Sequence, residues 1–157
     1  EAVRAGDLDT ALVTSPAAGT GPTGLVAREI AREPYALIAA ETVAGSEPEA
    51  LVLGQPFIWF SRRTWAGRQI EQILAARGLV PVDAMEIDSL EAIEALVRAG
   101  LGVSVVPVQT GGPPPQGIRR LPMGDAERRL VLIERAASPR ARLARLLGDA
   151  LVAAGAR

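Results

Sequence analysis

The stretch Asp88 to Pro107, D-S-L-E-A-I-E-A-L-V-R-A-G-L-G-V-S-V-V-P, constrains the fold more than any other part of the chain. Leu90, Ile93, Leu96 and Val97 recur at three- and four-residue spacing, so they share one helical face. Glu91, Glu94 and Arg98 fall on the other face. Asp88 is placed to cap the first turn, and Glu91 three residues on completes a capping box. Gly100 allows the left-handed turn that ends a helix. Val103, Val105 and Val106 then form a short β-branched run closed by Pro107. A capped helix that feeds straight into a buried strand is half of an α/β unit.

The rest of the chain reads around that unit. Glu1 to Gly6 is the end of a helix, and Leu8 to Thr14 is a short strand. Ser15 to Gly24 is a Pro/Gly/Thr loop. Leu25 to Arg32 is mixed and gives no clear periodicity, whereas Tyr35 to Ala40 is a strand. Glu41 to Glu49 reads as loop and short turn, Leu51 to Leu53 packs locally, and Gly54 to Pro56 turns into the aromatic strand Phe57 to Phe60. Ser61 to Thr64 is a polar turn before a helix, Trp65 to Ala76, which buries Ile70, Ile73 and Leu74 and is capped by Gly78. Leu79 to Ile87 is a further strand. Gln109 to Gly117, Q-T-G-G-P-P-P-Q-G, is an extended connector, because three consecutive prolines continue neither helix nor sheet. Ile118 to Met123 and Leu130 to Glu134 are strands joined by a charged turn, Gly124 to Arg129. Pro139 to Ala154 is a final helix with Leu143, Leu146, Leu147 and Leu151 as its apolar face. There is no internal repeat. Strands alternating with helices imply an α/β fold with a largely parallel sheet.

Two absences narrow the chemistry. With no Cys there is no disulfide, thiolate nucleophile or zinc–thiolate site, and the sequence also lacks His. That removes Ser-His-Asp chemistry and the imidazole general base. A net charge of −1 argues against a surface built to hold a phosphate backbone. No apolar run approaches the ~20 residues that span a bilayer, and the N-terminus carries no basic-then-apolar secretion signal. The expectation is a soluble cytoplasmic protein that is not an enzyme and uses no cofactor or metal.

An ordered set of segments resembles the LysR-type transcriptional regulators. V-R-A-G-D-L-D-T-A-L-V at Val3 to Val13 looks like that family's VxxGxLDxAI strand, and E-P-Y-A-L-I-A at Glu33 to Ala39 resembles its crossing strand. P-F-I at Pro56 to Ile58 matches the start of its second lobe. L-V-R-A-G-L-G-V-S-V-V-P at Leu96 to Pro107 is similar to its most specific segment, and R-R-L-V-L-I-E-R at Arg128 to Arg135, followed by a helix, fits its close.

The resemblance implies the effector-binding domain, a two-lobed fold like type 2 periplasmic binding proteins, with mainly parallel sheets and two crossing strands. Lobe I is then residues 1–36 plus 109–157, and lobe II residues 37–108. A small-molecule effector, anionic and a carboxylate by expectation, sits in the cleft between them. The winged helix-turn-helix, the linker helix and the first strand–helix–strand of lobe I have no counterpart, so the sequence reads as beginning inside a domain. DNA would be bound only through that absent helix-turn-helix, and the parent protein would be a homodimer or tetramer. The helix Trp65 to Ala76 is either part of such a dimer contact or an ordinary amphipathic surface helix. The alternative is a solute-binding protein of a transport system, which needs a secretion signal.

Within that frame the ligand meets strand ends and helix N-termini. Thr14 and Ser15 end the first strand and either offer hydroxyls to a ligand or cap a loop. Ser61, Arg62, Arg63 and Thr64 precede a helix whose unpaired N–H groups favour an anion. Arg62 or Arg63 could fork onto a carboxylate, against the reading that both are solvated. Trp59 and Trp65 either wall an effector or belong to the core. Asp88 and Ser89 start a third element, with helix capping set against ligand contact. Gly100 to Gly102 follows a helix instead of opening one, so it is no phosphate loop.

Overall fold

The structure, a computed structural model, describes residues 1–15, 24–109 and 113–155. The chain divides into two compact units: Glu1–Glu33 with Gln109–Gly111 and Arg128–Arg157, and Pro34–Val108 with Gly112–Glu127. Two long strands, β2 (Leu25–Ala40) and β6 (Ile118–Arg135), each contribute residues to both. Hydrogen bonding orders the larger sheet β1-β6-β2-β5, where β1 is Thr10–Ser15 and β5 is Ser104–Pro107.

In the first unit, β1 pairs antiparallel with the end of β6, from Thr10 opposite Glu134 to Ser15 opposite Arg129. The short helix α1 (Ala2–Ala5) ends at Gly6 in the left-handed region, φ 94°. Arg135 holds this turn by donating from Nη1 to the carbonyls of Val3 (2.7 Å) and Leu8 (2.9 Å). Glu33 is buried and its carboxylate accepts from Arg128 Nε at 2.7 Å, which compensates the charge. The last helix, α5 (Ala141–Gly155), departs from expectation. Leu143, Leu146 and Leu147 are 62%, 56% and 44% exposed, and Ala144 makes the buried contact instead. Periodicity finds an apolar stripe but does not say what covers it.

The buried strands of the second unit, the end of β2 with β3 (Pro56–Phe60) and β5, are apolar on both faces because helices cover both, whereas β4 (Val82–Ile87) is largely exposed. Here β2 from Tyr35 to Ala40 is fully buried and pairs antiparallel with β5. The strands β3 and β4 pair in parallel, and Phe57 bridges Val103 in parallel. Parallel pairing is therefore a property of this unit, and the described ladders of β1 with β6 and β2 with β5 are antiparallel. The helices are α2 (Pro48–Gly54), α3 (Trp65–Ala76) and α4 (Leu90–Arg98). Alternation along the strands splits the core in two. Leu37, Phe57 and Trp59 pack with Ile70 and Leu74 of α3, whereas Ile38 and Ile58 pack with Ile93 and Val97 of α4. Gly100, at φ 76°, ends the α4 turn in the left-handed conformation its sequence position requires.

Several sequence expectations are corrected. Leu25 to Arg32, without clear periodicity, is continuous strand; both its faces are largely open to solvent, so no apolar face is selected. The segment read as loop before Leu51 contains the start of α2, with Pro48 in its first turn and Leu51 and Val52 buried. The charged turn from Gly124 to Arg129 is not a turn: β6 runs through it, with Gly124 at φ 68° accommodating an irregularity within the strand. The strand expected from Leu79 begins at Val82, that expected from Leu8 at Thr10, and the last helix at Ala141. Ser89, not Asp88, caps α4: the Ala92 N–H donates to Ser89 Oγ at 3.3 Å. Asp88 is one residue too early, so the expected box with Glu91 does not close; Ser89 Oγ donates to Glu91 Oε2 at 2.9 Å instead. Residues 16–23 and 110–112, in the expected loop and connector, lie outside the described residues.

Candidate functional site

The carboxyl ends of β3 and β4 lie side by side, and each strand leads into a helix. In parallel sheets the crevice at these strand ends is where ligands are bound. Ser61 N–H donates to the Ile87 carbonyl at 2.8 Å and pins the two ends together. Thr64 caps α3, accepting from Gly67 N–H at 3.0 Å and donating its own hydroxyl to the Ser61 carbonyl at 2.7 Å. Ser89 caps α4 beside it. Two helix N-termini thus converge on one groove of about 880 Å³, lined by Ser61, Arg62, Arg63, Thr64, Glu86, Ile87 and Asp88. Both macrodipoles favour negative charge there.

Close packing sets the geometry of this groove. A Cβ on Gly67 would lie 2.6 Å from the Phe60 carbonyl oxygen and closer still to that of Ser61. Only glycine lets the first turn of α3 sit against the end of β3.

Arg62 is the most constrained cation in the groove. Its guanidinium carbon lies 4.8 Å from the centroid of the Trp59 ring, a cation–π arrangement. Its Nη1 is 3.7 Å from Asp83 Oδ2, and Asp83 is itself fixed by a 2.7 Å hydrogen bond from Trp59 Nε1. Two of its donors go to Glu86: Arg62 N–H to Oε1 at 2.9 Å and Arg62 Nε to Oε2 at 3.1 Å. Ser61 Oγ adds a third donor to Oε1 at 3.1 Å. The Arg62 backbone N–H, then its guanidinium, hold the Glu86 carboxyl below the ordinary value of 4.5. Glu86 therefore stays ionised, and the contribution of these bonds is lost only as pH falls through that lowered value.

The sequence-derived candidates separate as follows. Ser61, Arg62, Arg63 and Thr64 come together in the groove, and Arg63 is exposed on it. Trp65 opens α3 and Ser89 caps α4, both next to the lining residues. Thr14 and Ser15 belong to the first unit, where they pair with Leu130 and Arg129. Trp59 is buried in the core while its ring edge and face organise Asp83 and Arg62. Glu86 and Asp83 are the partners that sequence reasoning missed. Their only signal is register, since Glu86 stands opposite Trp59 and Asp83 opposite Phe57 across the β3–β4 ladder. Among the described residues no cluster of acidic side chains is arranged to hold a metal ion, and no helix is long and apolar enough to cross a membrane.

Comparison with known proteins gives the chain a family and a fold. The LysR substrate binding domain family matches residues 1–156. No similar protein was found among curated sequences. Among solved structures, the regulatory domain of reduced OxyR from Pseudomonas aeruginosa superposes with a TM-score of 0.67 at 22% identity, covering 96% of this chain and 75% of that one. Reduced OxyR from N. meningitidis gives 0.70 at 19% identity, covering 96% and 74%. The Synechocystis CcmR regulatory domain, solved in complex with 2-PG, gives 0.74 at 18% identity, covering 98% and 76%. The periplasmic-binding-protein-like α/β fold is therefore shared with these domains, and the chain belongs to the LysR substrate binding domain family, the effector-binding domains of LysR-type transcriptional regulators.

Proposed function

We propose that this domain senses a small anionic metabolite, carrying a carboxylate or phosphate group, and that the groove at Ser61, Arg62, Arg63 and Thr64 holds its charged end. The observation that carries the reading is the convergence of two capped helix N-termini and two arginines on one set of parallel strand ends. The 2-PG complex of CcmR supports a small ligand in a domain of this fold. Trp65 and Ser89 flank the same groove, whereas Thr14 and Ser15 would supply hydroxyls from lobe I, taken as 1–36 plus 109–157 against lobe II at 37–108.

On this reading the domain performs no chemistry. An effector shifts the equilibrium between two states of the domain by binding one of them more tightly. The parent regulator reads that shift through a helix-turn-helix, as a dimer or tetramer in the cytoplasm. A thermal-shift screen of small carboxylates and phosphates tests it, followed by titration of the best hit. Arg62→Ala and Arg63→Ala should each weaken binding by about tenfold, the loss of one charge-assisted hydrogen-bonding partner. Affinities within twofold of the parent for both variants would place the ligand elsewhere.

A further inference from the structure

A carboxylate already occupies the anion-binding groups of this groove, and it belongs to the chain. Glu86 takes the Arg62 backbone N–H, the Arg62 Nε and the Ser61 hydroxyl, the set of donors that a ligand carboxylate would use. We infer that Glu86 is a tethered stand-in for the effector, a built-in competitor that an incoming anion must displace to take the Arg62 backbone N–H and Nε together with the Ser61 hydroxyl. The inference rests on the groove being the effector site.

The arrangement around Arg62 separates holding from blocking. Trp59 supports the guanidinium from its face and Asp83 engages Nη1, while Trp59 Nε1 fixes Asp83 in turn. These contacts remain when Glu86 moves, so the arginine keeps its place and gains free donors. Glu86 sits on the second-last residue of β4 with its side chain about one-third exposed, so it has room to swing away. Its charge also repels any anion entering the groove, an effect that ends when it leaves. The resident carboxylate raises the intrinsic affinity needed to fill the site, which dianions, or ligands with a second anchor on Arg63, supply more readily than simple monocarboxylates.

Titration with inorganic phosphate, followed by amide NMR shifts of Arg62, Arg63 and Thr64, tests the inference in the 157-residue chain. Glu86→Ala should bind phosphate about tenfold more tightly than the parent, and Glu86→Gln, which keeps one acceptor oxygen but not the charge, should fall between. Acetate should gain by about the same factor as phosphate, because a resident carboxylate lowers the affinity of every displacing anion by the fraction of free protein in which the site is open. If phosphate shifts the same amides in parent and Glu86→Ala with equal affinity, or binds the variant less well, the stand-in role is overturned while the groove survives as a site. If phosphate shifts these amides in neither protein, both the stand-in and the groove reading fall. Thermal melts of the variants confirm that each is folded before it is titrated.

Discussion

Gly67→Ala is expected to destabilise the second unit by about 3 kcal/mol, near the upper end of what overpacking costs. The added methyl meets the carbonyls of Phe60 and Ser61, which are backbone and cannot rotate aside as a flexible side chain would. Relief requires α3 to lift off the end of β3. Thr64 would then lose its place as cap, since its hydroxyl is fixed to the Ser61 carbonyl and to Gly67 N–H. The denaturant midpoint should drop while the slope of the transition stays unchanged. Anion binding should weaken in the same protein. Gly54→Ala is the control, since a Cβ there meets nothing within 4 Å. A Gly67→Ala protein as stable as that control would mean that the strand end is not held as described.

Phe57→Ala should cost about 4 kcal/mol, the loss of a fully buried aromatic side chain plus the cavity it leaves. Phe57 lies at the join of the parallel strands, opposite Asp83 on β4 and bridged to Val103 before β5. Its ring meets Trp59 edge-on, with centroids 4.8 Å apart and planes at 69°. Truncation therefore removes core volume and also support for the residue on which Arg62 rests. Against a typical stability of about 5–15 kcal/mol, the variant should melt well below the parent and show reduced anion affinity at temperatures where it is still folded. Val80→Ala, at a site 80% exposed, should change the midpoint hardly at all. Similar losses at both positions would contradict the placement of the core.

The sequence carried the second unit more clearly than the first, for a physical reason. Tyr35 to Ala40, Phe57 to Trp59 and Val103 to Val106 are buried, so their composition had to be almost wholly apolar, with the Ser104 hydroxyl satisfied by donating to the Ile58 carbonyl, and their strands were readable. Leu25 to Arg32 and Gly124 to Arg129 belong to strands left partly open, where polar residues satisfy the environment and the pattern resembles a loop. Leu143, Leu146 and Leu147 were legible as a stripe, but burial depends on a neighbour that periodicity cannot name. Of the groove, Ser61 to Thr64 followed from a polar turn ahead of a helix. Glu86 did not, because its bond to Arg62 joins residues 24 positions apart and depends on the β3–β4 register. The cap moved from Asp88 to Ser89 for a related reason: either side chain suits the role, and the backbone decides which one is in reach.

The cation–π contact has a practical corollary. The chain contains two tryptophans, one stacked beneath the Arg62 guanidinium and the other opening α3. A positive charge poised over an indole shifts its excited-state energy, so any rearrangement of that charge is written into the emission colour. Under the proposed reading, exchange of the Glu86 carboxylate for an effector would change the charge around that indole, and Trp59 emission would follow it without an attached dye.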